Sequence, residues 1–176
     1  MTKKVGPFWL VVILMAYFGG SQAYAMVSFS LVGGVSDGLT KFTDPTGTTT
    51  QGKMGYGGGL LVGLNFVPFV GLETGAIYFA NSMDSTNSGI TVSPGMNSIY
   101  IPFDLRLHPL PMISVSVGGF YNHFTESGVQ ADYGWEAGAR FSLHRLFIDG
   151  RYCQGLRDYG SGLNFSNLIG LVGIQL

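Results

Sequence analysis

Residues Ser98 to His108 read S-I-Y-I-P-F-D-L-R-L-H, and every second residue from Ile99 is a large hydrophobe. Successive side chains of a β-strand point to opposite faces. Ile99, Ile101, Phe103, Leu105 and Leu107 therefore share one face, and Tyr100, Pro102, Asp104, Arg106 and His108 share the other. The strand has a greasy side and an ionic side. A soluble sheet is also built this way, with its apolar side on a core, so one such strand does not decide between water and lipid. The recurrence of the pattern decides it.

Seven further stretches repeat the alternation. Val27 to Gly34 sets Val27, Phe29 and Leu31 against Ser28 and Ser30. Met54 to Phe66 sets Met54, Tyr56, Leu60, Val62, Leu64 and Phe66 against Gly55, Gly57, Gly59, Gly63 and Asn65, the glycines leaving room in a narrow lumen. After the turn Val67-Pro68-Phe69, the third strand carries Val70, Leu72, Ala76 and Tyr78 outward and Glu73 inward. The Ser98 strand is the fourth, and a Pro-rich turn from His108 to Met112 follows it. The fifth alternates Ile113, Val115, Val117 and Tyr121 with Ser114, Ser116, Gly118 and Asn122. The sixth sets Tyr133, Trp135, Ala137, Ala139, Phe141 and Leu143 against Gly134, Glu136, Gly138, Arg140 and Ser142. The seventh sets Leu146, Ile148 and Tyr152 against Asp149, Arg151 and Cys153, and the eighth sets Leu168, Val172, Ile174 and Leu176 against Asn167, Gly173 and Gln175.

Two polar segments, Ser36 to Gln51 and Asn81 to Gly95, are long and rich in Thr, Ser, Gly and Asp, which predicts mobile, water-facing loops. Shorter loops are expected at Phe124 to Gln130 and Arg157 to Gly162. The longest connections fall at one end and the tightest turns at the other, the asymmetry of outer-membrane barrels, whose long loops lie outside the cell. Outward aromatics gather toward the loops (Tyr56, Tyr78, Tyr121, Tyr133, Trp135) and toward the turns (Phe66, Phe141), as two interfacial girdles require.

Composition points the same way. Of 176 residues, 46% are hydrophobic and 11% charged, against about 25% charged in an average soluble protein. The net charge of -1 and the absence of a basic run exclude a nucleic-acid partner. No linker composition divides the chain after its first segment. In that segment Lys3 and Lys4 precede an apolar run, Phe8 to Phe18, which is followed by Ala23-Tyr24-Ala25. This is the pattern of a secretory signal peptide over residues 1 to 25, leaving a barrel domain over 26 to 176. Cys153 is the only cysteine, so no intramolecular disulfide or cysteine-based metal cluster is expected, and it reads as a small packing residue.

Glu73, Asp104, Arg106, Glu136, Arg140, Asp149 and Arg151 all fall opposite the large hydrophobes. A soluble lipocalin-like barrel keeps its apolar face inside, and its wet face would need more charge than these strands carry. Lys or Arg at the bilayer midplane costs about 2 to 4 kcal/mol, so a membrane would enforce this one-sidedness. The sequence therefore predicts an all-β, eight-stranded antiparallel up-and-down transmembrane barrel, with an apolar outside and a polar interior. If His144-Arg145 is a two-residue hairpin turn, Leu143 pairs with Leu146 and Arg140 with Asp149, and the seven charges form one ionic layer in the lumen.

With these features the chain resembles the small outer-membrane barrels of the outer membrane protein A and X type. It departs from them in ending Ile174-Gln175-Leu176 rather than on an aromatic residue. The resemblance implies the outer membrane of a Gram-negative cell envelope, contact with its lipid, and insertion by the outer-membrane assembly machinery. An eight-stranded barrel is filled by its own side chains, so a pore is not expected.

No catalytic, cofactor or metal motif stands out. Gly55-Tyr56-Gly57-Gly58-Gly59 lacks the third glycine of a phosphate loop and any following helix, and His108, His123 and His144 are scattered. The enzymatic alternative is an acyl hydrolase or transferase acting on outer-leaflet lipid, with His123, Glu126, Ser127 and Asp132 near the loop rim. The preferred expectation is non-enzymatic, structural support or adhesion, with an extracellular partner met through residues 36–51 and 81–95.

Overall fold

The computed structural model describes residues 26–39, 41–43, 49–87, 90–126, 129–157 and 164–176. Residues 1–25, where the signal peptide is expected, lie outside them. Eight long strands close a barrel: β1 (Met26–Gly38), β4 (Gly55–Val67), β5 (Val70–Ala80), β8 (Ser98–Leu110), β9 (Ile113–Phe124), β10 (Asp132–Leu143), β11 (Leu146–Gly155) and β12 (Ser166–Gln175). Each is antiparallel to its neighbours, and β12 closes the ring by pairing with β1, Val32 opposite Gly173.

The alternation governs which way side chains point. Phe29 (52% exposed), Phe103 (58%) and Ile148 (58%) stand outside, whereas Asp104, Glu136 and Arg151 are buried inside. Large hydrophobes on the outer wall and charges within are the inverse of a soluble barrel, because lipid rather than water is the solvent of that wall. The girdle aromatics Tyr56, Tyr78, Tyr121, Tyr133 and Trp135 are all exposed at the loop end, with Phe66 and Phe141 exposed toward the turns. Tyr121 pairs directly with Tyr133 across β9 and β10.

Four features differ from the sequence expectation. The two long loops are not simply mobile spacers: β2 (Lys41–Thr43), β3 (Thr49–Gly52), β6 (Met83–Asn87) and β7 (Ile90–Val92) form a second antiparallel sheet, β2-β3-β6-β7. Its central pair joins the two loops, Thr50 opposite Ser85 and Gln51 opposite Asp84. Thr suits a pleated strand once a partner satisfies its backbone, and only the fold supplies that partner. Second, β8 continues past His108 to Leu110, through a register shift between Leu107 and Leu110 that leaves Pro109 outside the ladder, where its missing N–H costs nothing. Third, the glycines of β4 do more than leave lumen space. A side chain at Gly57 or Gly59 would strike the backbone of β5, at the Tyr78 and Ala76 carbonyls, so glycine there lets two strands approach closely. Fourth, the interior is not polar throughout.

Pro102 interrupts the wall without shifting its register. On the β5 side the ladder holds at Thr74–Phe103 and resumes at Ile77–Tyr100, and no pairing joins Gly75 or Ala76 to β8.

Candidate functional site

The β10–β11 turn is the two residues His144 and Arg145, with His144 in the left-handed region at φ 58°. A positive φ in a two-residue turn matches the twist of the strands it joins. It fixes Leu143 opposite Leu146 and Arg140 opposite Asp149. On β5 and β8, Glu73 lies opposite Asp104, so acids and guanidiniums from four strands converge across the lumen.

The seven charged residues that the sequence places inward are brought into one network. Arg140 grips Glu73 with both terminal nitrogens, at 2.8 and 2.9 Å, and reaches Asp149 Oδ2 at 2.7 Å. Arg106 donates to Glu73 (2.7 Å), Asp149 (3.1 Å) and the Ser114 hydroxyl (3.0 Å). Arg151 donates to Glu73 (2.6 Å), Asp149 (3.0 Å) and Asp104 (3.0 Å), and its Nη1 lies 3.9 Å from Glu136. Glu73 and Asp149 are thus each shared by all three arginines. Such burial is tolerated because each charge has a counter-charge and directed hydrogen bonds. Below the network, the Arg140 guanidinium stacks over Phe147, 4.0 Å from the ring centre.

Glu136 is the upper edge of this layer. It accepts a hydrogen bond from the Tyr100 hydroxyl and lies 3.6 Å from the Cys153 sulfur. Cys153 is 1% exposed, packed as a small inner-wall residue with a weak donor.

Above Glu136 the lumen changes character. Val32, Leu61, Ile77, Phe79, Tyr100, Phe120, Ile169 and Leu171 form a buried apolar cluster with Cys153, which runs past the ionic layer to Phe147 at the turn end. Phe79 and Phe120 flank Tyr100, with ring centres 6.3 and 5.8 Å away. Of these, only Tyr100 and Cys153 are placed inward by the alternation reading. A signal for the rest was available: Leu60-Leu61-Val62, Ile77-Tyr78-Phe79 and Leu168-Ile169 break the alternation with consecutive hydrophobes, the mark of a strand buried on both faces.

The described residues line a cavity at each end of the lumen, and none of them lines both. The turn-end cavity, about 70 Å³, is walled by Ser28, Ser30, His108, Ser114 and the lower face of the ionic layer. The loop-end cavity, about 60 Å³, is walled by Phe79, Tyr100, Phe120, Phe124 and Ile169, with Asn81, Asn122, Asp132 and Asn167 among its polar residues. Asp104, Glu136 and Arg151, each at most 2% exposed, occupy the levels between them.

The barrel thus has an exposed rim, a lumen filled by its own side chains and a lipid-compatible wall. The fold is that of a transmembrane β-barrel. Among solved structures, the barrel is similar to the outer membrane protein OprG from Pseudomonas aeruginosa, with a TM-score of 0.59 and 14% identity over 88% of this chain and 98% of that one. It is also similar to a de novo designed transmembrane β-barrel, with a TM-score of 0.51 and 14% identity over 85% of this chain and 95% of the design. No protein-family model and no curated protein sequence matches the chain.

Of the described residues of the enzymatic alternative, His123 and Asp132 lie on opposite faces of the wall. His123 is exposed on the outer face of the barrel wall, opposite Ile99, whereas Asp132 faces the lumen at 2% exposure. Glu126 accepts the backbone N–H of Asn97 at 2.7 Å, and Ser127 lies outside the described residues. Among the described residues no group of His, Cys, Asp and Glu has the geometry of a metal site.

Proposed function

We propose that the protein resides in the bacterial outer membrane and acts there without catalysis, as a closed barrel that presents a binding surface on its loop sheet. The observation that carries this reading is the β3–β6 pairing, which welds two loops distant in sequence into one sheet at the loop end. Ordered loops on a rigid scaffold are the usual carriers of recognition. The filled lumen supports a role other than a wide pore. The likeness in size and strand number to the outer membrane protein A and X type supports the same location, insertion by the outer-membrane assembly machinery, and an orientation with the loop sheet outside the cell.

The test is to replace the β2–β3 and β6–β7 hairpins by short turns in cells that express the protein. The shortened barrel is expected to keep its outer-membrane fractionation and its shift in gel mobility on boiling, while adhesion of the cells to surfaces falls. Unchanged adhesion combined with an envelope made leaky only by loss of the whole barrel would favour structural support instead.

A further inference from the structure

We infer that the loop-end cavity is a binding site for a small primary ammonium, a compact aliphatic amine held with its charged end against the β9–β10 wall. The inference needs only the barrel and does not rest on the loop sheet's having a partner.

The cavity is a row of acceptors facing a box of rings. Asp132 and Asn122 are register partners on β10 and β9, and Asn122 is opposite Tyr100 on β8, so the three line up across the inner wall. One strand level nearer the loops, Phe79, Ser98 and Phe124 form the next row. Asn122 is 7% exposed, yet its amide oxygen has no hydrogen-bond partner among the described residues, and neither has that of Asn81. Burying an unpaired carbonyl is costly, and both asparagines line the cavity. Asp132 takes backbone N–H groups from Tyr133, at 2.9 Å, and from Arg157, and its carboxylate is an acceptor-only group.

Charge selects the ligand's sign. The inner wall carries the carboxylates of Glu73, Asp104, Asp132, Glu136 and Asp149 against the guanidiniums of Arg106, Arg140 and Arg151. All three arginines are spent within the layer below the cavity. Lys53, which lines the cavity at its rim, is paired with Asp84 at 2.8 Å, and Arg157, which donates to the Ala131 carbonyl, offsets part of the Asp132 charge. A negative interior with low-dielectric walls draws cations and repels anions. The faces of Phe79, Tyr100, Phe120 and Phe124 favour a cation further.

Hydrogen-bonding geometry selects a primary amine. An ammonium brings three N–H donors to Asn81, Asn122 and Asp132, whereas a quaternary nitrogen brings none. Size sets the upper limit. A cavity of 60 Å³ takes about four to six water-sized atoms at roughly 10 to 15 Å³ each.

The test titrates n-butylammonium into the protein extracted in zwitterionic detergent, following binding by calorimetry and the amide signals of Asn122 and Asp132 by NMR. Butyrate, 1-butanol and tetramethylammonium are run in parallel. Saturable binding of butylammonium is expected, at least tenfold tighter than any of the three. Asp132→Asn and Asn122→Leu should each weaken it about tenfold, and Asn122→Asp should tighten it, in barrels whose gel mobility still shifts on boiling. No saturable binding, or equal binding of butyrate or butanol, overturns the proposal. So does tetramethylammonium matching the primary amine, or weaker binding to a folded Asn122→Asp barrel.

Discussion

The same eight strands fill the two ends of the lumen by different means. At the turn end, Glu73 and Asp149 are each shared by three arginines, and long charged side chains cross the barrel to reach them. At the loop end, Phe79, Tyr100 and Phe120 fill the space, and the amides of Asn81 and Asn122 keep oxygens without partners. A guanidinium in a closed lumen must be satisfied in fixed directions, so the first arrangement tolerates little rearrangement. Rings make no such demand. Both ends keep a small cavity, but the loop end is walled by rings and neutral amides that can adjust, whereas the turn end is locked by ion pairs in fixed directions.

The largest expected effect tests the lock. Glu73→Ala removes an acceptor from Arg106, Arg140 and Arg151 at once and should cost about 3 to 5 kcal/mol, the usual penalty for stranding a buried charge. Urea unfolding followed by heat-modifiable gel mobility measures it. A cost below about 1 kcal/mol, typical of exposed ion pairs, would mean the layer is not a unit. Next, Phe120→Ala at the loop end should cost about 3 kcal/mol through lost burial and a new cavity. Combined with Glu73→Ala it should add without coupling, since the two residues share no partner. Strong coupling would erase the distinction between the two ends.

A smaller effect separates a network from an isolated pair. Arg140→Ala should be destabilising, and adding Asp149→Ala should return only part of the loss, about 1 to 2 kcal/mol, because Asp149 also serves Arg106 and Arg151. Full recovery would reduce the layer to independent pairs. The smallest effect lies outside the barrel. Hydrogen bonds from Lys53 and Ser93 hold the Asp84 carboxyl below its usual range. A depressed folded pKa gives stability that is present above the unfolded pKa, about 3.9, and is lost as pH falls through the folded value. Protection of β3 and β6 from hydrogen exchange should thus weaken in acid below pH 4 while the barrel's protection stays unchanged. Lys53→Met should weaken the sheet already at neutral pH and flatten this dependence.

Sidedness was legible in the sequence because the strand period is two: once Phe103 is outside, Asp104 and Arg106 have nowhere but the lumen to go. The β10–β11 register was legible because a two-residue turn leaves one way to pair, and Arg140 does face Asp149. The apolar half of the lumen was harder to see. Assigning Leu60 and Tyr78 outward is right, but it draws the eye from Leu61, Ile77 and Phe79, which are hydrophobes facing the other way. The loop sheet was out of reach for a different reason. Thr49 pairs with Thr86 across more than thirty residues of chain, and neither segment carries a hydrophobic stripe to announce a partner.

Pro102 gives the wall a line of least mechanical resistance. Pulled from one end, a barrel of hairpins comes apart at whichever junction between strands holds fewest rungs. Between β5 and β8 the rungs at Gly75 and Ala76 are missing, whereas Pro102 still faces Phe120 across β8 and β9. Under tension the molecule should part there first, with β8 and β9 leaving together as one hairpin. A force-extension trace would show a weaker rupture when that junction opens, and Pro102→Val, which restores a donor to it, would strengthen that step alone.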